Sequence, residues 1–187
     1  MEKSKLIIKA LEYSAVKHRG YNRKGGDIPY IVHPVEVAMI LKENFLTEEV
    51  IVAGLLHDLL EDTEVSKEEI REEFGEDILK LVVGASEKLE NREDQSWQER
   101  KNHTVDFLKN EACFKIRVIS CADKLSNIKS MIRDLEDEEA KTFWNKFNAG
   151  REKQKWYYES LMESLKELEG MKMYEEFKAA VNKLFGC

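Results

Sequence analysis

A chain of 187 residues with a formal net charge of -7 is long enough to bury one core. Its acidic balance excludes non-specific attachment to nucleic acid polymers or anionic membranes, so an anionic ligand has to be met by a local basic patch. Only 2 prolines and 9 glycines, with Glu, Lys and Leu abundant, favour helix throughout, and the 3 cysteines, Cys113, Cys121 and Cys187, lack CxxC spacing, which argues against a disulfide framework or zinc knuckle and fits a reduced cytosol.

The first helix is expected over residues 2–18, where Leu6, Ile7, Ala10 and Leu11 recur at helical spacing among charged residues, a pattern unlike a secretion signal. It stops at Gly20, where a glycine-rich loop begins. Lys17, Arg19, Arg23 and Lys24 fall together there with no acid between Lys17 and Gly26. They form either a solvated basic turn or, at Arg23 and Lys24, contacts for a phosphate or a flat base, on which a guanidinium can stack. Pro29-Tyr30-Ile31-Val32-His33-Pro34 reads as a short extended run entering a helix whose first position is Pro34. Val35, Val37, Ala38, Ile40 and Leu41 then form an apolar stripe that should pack on the next helix and bring His33 toward one end of it.

That next helix opens at Thr47, with Glu48 and Glu49 favourable to its dipole, and is expected to run through Thr63. Val50, Ile51, Val52, Ala53, Leu55, Leu56, Leu59 and Leu60 make it apolar over most of its circumference, the pattern of a buried helix. Yet it carries four ionisable groups. His57 and Glu61 are four apart, as are Asp58 and Asp62, so each pair lies along one face. Buried carboxylates are costly unless they are paired or bind a cation, and a metal ion satisfies His57 and Asp58 together.

Ser66-Lys67-Glu68-Glu69 is a capping-box pattern opening a short polar helix that Gly75 ends. An apolar helix over 77–85 follows, then a polar stretch, and Ser96-Trp97-Gln98-Glu99 opens a further helix with His103 on its surface. Over 114–131, Ile116, Val118, Ile119, Cys121, Ala122, Leu125, Ile128 and Met131 give a nearly continuous apolar surface interrupted by Asp123. A buried aspartate needs a partner. Adjacent Lys124 points about 100° away on a helix, which disfavours a salt bridge between them; Asp123 is better used as a fourth metal ligand beside His33, His57 and Asp58. Asn127, one turn on, faces the same cavity. One long helix from 137 to about 168 and a terminal helix over 170–185 are expected to complete the chain, with Trp144, Phe147, Trp156, Tyr157 and Leu161 in the core. Spacing leaves open whether Arg151, Lys153 or Tyr157 reaches a substrate.

His33, then His57-Asp58, then Asp123 is the pattern H…HD…D. Together with Arg23-Lys24-Gly25-Gly26, Pro29-Tyr30-Ile31-Val32-His33-Pro34, His57-Asp58-Leu59-Leu60-Glu61-Asp62-Thr63 and Ala122-Asp123-Lys124-Leu125-Ser126-Asn127, covering about residues 10–135, it resembles the HD superfamily of metal-dependent phosphohydrolases. Within that superfamily the chain is most similar to the alarmone hydrolase domain of RelA/SpoT-type enzymes and to the stand-alone small alarmone hydrolases. The resemblance implies an all-α HD-domain helical bundle, with residues 1–187 forming one domain. Its core spans about 2–168 and its C-terminal helix about 170–185. It also implies a divalent metal, best fitted by manganese, with His33, His57, Asp58 and Asp123 as ligands. Mixed nitrogen and oxygen donors suit manganese, iron(II) or zinc better than calcium. Glu61 and Asp62 match the family's catalytic acidic pair, while Arg23, Lys24, Asn127 and Lys129 fall where it contacts the nucleotide.

The implied protein is a cytoplasmic hydrolase with no room for a synthetase domain, removing the 3′-pyrophosphate of ppGpp to give GDP and pyrophosphate. Its partner is then a small phosphorylated nucleotide, with no nucleic acid polymer and no membrane, and self-association is left open. Three features depart from the family pattern: the loop between Gly26 and Pro29 is one residue longer than in many RelA/SpoT enzymes, Ser126 stands where a histidine or aromatic is frequent, and Glu87 and Lys88 follow the family only loosely. Two alternatives stand beside this reading. One is the same chemistry on another nucleotide or phosphoester; the other is a non-catalytic metal- or nucleotide-binding regulatory module. The Glu61-Asp62 pair weighs against the second, because mere binding gains little from two more acids beside a metal.

Overall fold

The apolar stripes are realised as helices packed around one almost completely buried segment. The computed structural model describes residues 5–23, 26–87, 94–137, 140–145 and 149–186. Its helices are α1 (Lys5–Lys17), α2 (Val32–Glu43), α3 (Glu48–Leu56), α4 (Leu59–Asp62), α5 (Lys67–Phe74), α6 (Glu76–Ala85), α7 (Trp97–Asn110), α8 (Phe114–Asp137), α9 (Ala140–Asn145), α10 (Arg151–Ser164) and α11 (Lys172–Phe185), with a 3-10 turn at Lys166–Leu168. Among the described residues the only extended pairing is an isolated bridge between Asn22 and Pro29. The fold is all-α, and no described helix is long and apolar enough to cross a membrane.

Every residue of α3 from Val50 to Leu56 is buried, as a helix apolar on all sides must be. It is enclosed by α1, α2, α6 and α8. The long α8 carries a second buried surface and packs on α2, α6 and α11, while α10 bridges α7 and α11. Both expected capping boxes form: Ser66 accepts from the Glu69 N–H and Ser96 from the Glu99 N–H, with each glutamate bonding back to the serine N–H. Thr47 holds the cap position of α3, but its side chain makes no capping bond.

Three expected boundaries move. The helix holding His57 is not continuous through Thr63: α3 ends at Leu56 and the four-residue α4 begins at Leu59. The long helix expected over 137–168 is instead the end of α8, the short α9, and α10, which starts after Gly150 in an extended conformation; Gly150 is the sequence signal for that break. Finally, α2 starts at Val32, so Pro34 is its third residue, still within the first turn, where a missing N–H is tolerated. Residues 2–4 of the first expected helix, Phe147 and Cys187 lie outside the described residues.

Close approach of α2 to α3 depends on Gly54. A Cβ there would lie 2.5 Å from Leu41 Cδ1 and 3.3 Å from Val37 Cγ1, both on fully buried side chains. Overpacking a core costs about 1–3 kcal/mol, against about 1 kcal/mol recovered by replacing a helical glycine. Gly54→Ala is therefore expected to lower unfolding free energy by about 1 kcal/mol in urea titration; a raised midpoint would show that α2 yields freely at this contact.

Candidate metal centre

The break between α3 and α4 falls at His57 and Asp58. Between them the backbone stays near helical values, ψ -34° at His57 and φ -90° at Asp58, so their Cα–Cβ bonds still diverge by about 100°. The two side chains bend together to bring Nε2 and Oδ1 to 3.1 Å. Here Asp58 adopts φ -90° and ψ -6°, the sparsely populated bridge region, and the N–H groups of Glu61 and Asp62 both donate to its carbonyl, at 3.1 and 2.9 Å. The His57 carbonyl, left out of the helical ladder, accepts from Ser86 Oγ at 3.0 Å. His33 enters from the first turn of α2 and Asp123 from the middle of α8. His33 Nε2 lies 3.4 Å from Asp58 Oδ2 and 3.2 Å from Asp123 Oδ1; His57 Nε2 lies 3.1 Å from Asp58 Oδ1 and 3.7 Å from Asp123 Oδ1. The structure thus brings together all four residues expected as ligands, and both histidines and Asp123 are buried.

Hydrogen bonds on the far side of each ring determine what faces the centre. His57 Nδ1 lies 2.8 Å from the Gly54 carbonyl, which can only accept, so Nδ1 carries a proton and Nε2 faces inward, as a lone pair in the neutral ring and as a second N–H when the ring is charged. Among the described residues that buried Nε2 has no hydrogen-bond partner. His33 Nδ1 lies 2.9 Å from Ser126 Oγ, which itself donates to Glu36 Oε2 at 2.8 Å, so this ring also turns its Nε2 inward. Donor atoms of His33, His57 and Asp58 all lie within 4.8 Å of one another. Lone pairs facing lone pairs in a buried site require a cation or protons between them. The same strain appears in the ionisation: burial pulls the His57 imidazole down, but Asp58 and Asp123 outweigh it and raise it to about 9. Burial pushes the Asp58 and Asp123 carboxyls up, yet the histidines and, for Asp123, Lys124 hold both below the ordinary carboxylate range. Two neutral imidazoles and two carboxylates fit a borderline divalent metal.

The centre opens on a cleft of two lobes. One, of about 330 Å³, is lined by Asp58, Glu61, Glu87, Lys101 and Asp123 among others; the second, of about 340 Å³, is lined by Arg23, Trp97, Asp134 and Tyr158. Tyr30, Lys101, Lys124, Asn127 and Tyr157 line both. Glu61 stands on the first lobe with Oε1 accepting from the Glu87 N–H at 2.5 Å, and Asp62 interacts with the Tyr30 hydroxyl. Arg23 donates to Asn127 Oδ1 at 3.1 Å, and Asn127 donates in turn to Asp123 Oδ1 at 2.5 Å. Lys129 is not brought to the cleft. It lies six residues beyond Asp123, on another face of α8, and pairs with Glu176 of α11 at 2.7 Å. Lys24 lies outside the described residues.

Comparison with known proteins now bears on this geometry. Residues 10–154 match the HD domain. The chain belongs to the HD-domain family, whose members are phosphohydrolases. It is 39% identical over 129 residues, 68% of this chain, to a Borreliella burgdorferi protein named guanosine-3′,5′-bis(diphosphate) 3′-pyrophosphohydrolase, but that alignment covers only 19% of the relative. Indeed the chain spans about a fifth of the length of the first curated relatives it matches. A Drosophila melanogaster relative of the same name, MESH1, is 36% identical and 69% of it is covered. Among solved structures, lmo0812 from Listeria monocytogenes EGD-e superposes with a TM-score of 0.73 at 32% identity, covering 88% of this chain and 100% of that one. A structure described as a metazoan ortholog of SpoT that hydrolyses ppGpp superposes with a TM-score of 0.74 at 28% identity, covering 100% and 97%.

In this HD domain the two aspartates are also held by neighbouring side chains. Lys124 does bridge to Asp123, at 2.6 Å, contrary to the expectation from adjacent helical positions: its long side chain curls back to Oδ2, and although burial pulls its amine down, Asp123 raises it well above the ordinary lysine value. Tyr30 donates to Asp58 Oδ2 at 2.7 Å; its position beside His33 in the motif was the available signal. Tyr157 answers the question of which C-terminal residue reaches the cleft. Its ring lines both lobes and its buried hydroxyl has no partner among the described residues, whereas Arg151 donates to the Phe185 carbonyl at 3.0 Å and Lys153 is absent from the lining. His103 is exposed, as expected, and lies at the rim of the first lobe. Hydrogen bonds to charged groups contribute about 1.5–3 kcal/mol, so Tyr30→Phe should lower the metal-free unfolding free energy by about that amount. An unchanged urea midpoint would show that Asp58 is held without it.

Proposed function

We propose that this HD domain is a metal-dependent hydrolase that removes pyrophosphate from the 3′ position of a guanosine alarmone, converting ppGpp and water to GDP and pyrophosphate. The observation that carries the reading is the position of Glu61 and Asp62. Glu61, one turn beyond His57, lines a cleft whose far lobe holds Arg23, and Asp62, one turn beyond Asp58, interacts with the Tyr30 hydroxyl. The relatives named as 3′-pyrophosphohydrolases support the substrate class.

His33, His57, Asp58 and Asp123 would hold the metal, which the resemblance to the alarmone hydrolases makes manganese; their mixed nitrogen and oxygen donors suit manganese, iron(II) or zinc. When bound, such an ion supplies positive charge against phosphoryl oxygens and acidifies water. The remaining work belongs to the chain. Glu61, whose Oε1 is held by the Glu87 N–H, orients the attacking water and takes its proton through its other oxygen. Asp62 assists from beside the Tyr30 hydroxyl. Lys101 and Lys124, which line both lobes, offset phosphate charge. Arg23 and Asn127, already hydrogen-bonded to each other, meet the nucleotide in the second lobe, and Lys24 is assigned to the nucleotide by its place in the sequence motif alone. Residues 1–187 form one HD domain in this reading, acting in the cytoplasm on a small nucleotide and not on a nucleic acid polymer.

Manganese-loaded protein should release pyrophosphate from ppGpp and leave GTP and simple nucleotides intact. Positioned general bases contribute about 10²–10⁴-fold, so Glu61→Ala should lose at least that much turnover while still binding manganese, and Asp123→Ala should lose both. Release from other phosphoesters only would move the same centre to a different substrate. Full activity in Glu61→Ala would remove its catalytic assignment.

A further inference from the structure

We propose that Glu36 is a positioning residue for the metal, acting through the Ser126 hydroxyl on the ligand nitrogen of His33; the proposal rests on the reading of His33 as a ligand. The geometry is a relay across two helices. Ser126 is fully buried on α8, three residues beyond Asp123. Its single proton goes to Glu36 Oε2 at 2.8 Å, since an ionised carboxylate can only accept. Ser126 Oγ is therefore left to accept from His33 Nδ1 at 2.9 Å, which requires the proton on Nδ1 and turns the Nε2 lone pair to the centre. Glu36 stands one turn beyond His33 on α2, and its other oxygen, Oε1, lies 3.4 Å from Nη1 of Arg133, two turns beyond Ser126 on α8.

The two histidines are therefore backed differently. His57 leans on a neutral backbone carbonyl, whereas His33 leans on a hydroxyl polarised by a carboxylate. Partners beyond the ligand shell that accept from the second ring nitrogen fix its tautomer and raise its basicity as a ligand. Glu36 is only partly exposed, with 26% of its side chain accessible, yet it touches neither the centre nor the cleft lining. A purely structural tie between α2 and α8 would hold the metal-free protein together without changing metal affinity, and that difference is measurable.

Manganese alone is the probe, titrated into the metal-free chain by calorimetry against a competing chelator, with urea unfolding of each metal-free variant alongside. Loss of such outer partners weakens metal binding about 10–100-fold; Ser126→Ala is expected in that range and Glu36→Ala about tenfold weaker than the natural protein. Glu36→Gln, which still accepts from Ser126 but carries no charge, should recover part of that loss; the metal-free midpoint of Glu36→Gln should stay near the original, and that of Glu36→Ala should fall with the lost hydrogen bond. Should Ser126→Ala fail to fold, the Glu36 pair carries the test. Natural affinity in Glu36→Ala, with manganese binding lost in His33→Ala, would overturn the relay alone. Natural affinity in His33→Ala would overturn the ligand reading beneath it.

Discussion

Four side chains, His33, His57 and Asp123 buried and Asp58 half-buried beside them, turn electron pairs toward one point, and the rest of the site follows from that constraint. Acceptor facing acceptor in a dry interior is tolerated only when positive charge sits between them. Each group is therefore held from behind: His57 by the Gly54 carbonyl, His33 by Ser126, Asp58 by Tyr30, and Asp123 by Lys124 and Asn127. The chain departs from helical regularity at the point where two of the four must converge. The break at His57-Asp58 gives up one ladder bond, compensated by Ser86. Beyond the break, α4 carries Glu61 onto the cleft.

Packing serves the same end. Gly54 lets α2 approach α3, and the carbonyl of that same residue orients His57. The close contact that brings His33 near and the hydrogen bond that aims His57 thus share one position. On the far side, α8 contributes Asp123, Lys124, Ser126 and Asn127 within little more than one turn. These face the centre, the cleft, the relay to α2 and the Arg23 edge, so a small rotation of α8 would disturb all of them together. Lys124 and Tyr157 stand where the two lobes meet, and the proposed substrate, carrying diphosphates at the 3′ and 5′ positions of its ribose, has charge to place in each lobe.

Much of this was legible in the sequence. The H…HD…D pattern named the four converging residues because polar groups inside apolar stripes need partners, and the serine-to-glutamate spacings located two helix starts. What escaped was local backbone geometry and the far ends of long side chains. Periodicity cannot distinguish a continuous helix from one broken by a two-residue turn, so the His57-Asp58 break was invisible. A rule about directions at the Cβ does not limit a lysine whose amine is four carbons further out, and so Lys124 reached Asp123. Lys129 failed for the opposite reason: helical phase alone turns it toward Glu176 of α11, whatever the family pattern places near it. Ser126 and Glu36 lie 90 residues apart, and only the packing of α2 on α8 joins them.

The central claim is that these four residues share one divalent cation, and the most direct measurement is anomalous diffraction at the manganese edge from crystals of the manganese-soaked protein. The account predicts a single strong peak bonded to Nε2 of His33, Nε2 of His57 and carboxylate oxygens of Asp58 and Asp123. A peak elsewhere, or none at this point with the four side chains ordered and manganese in excess, would contradict it.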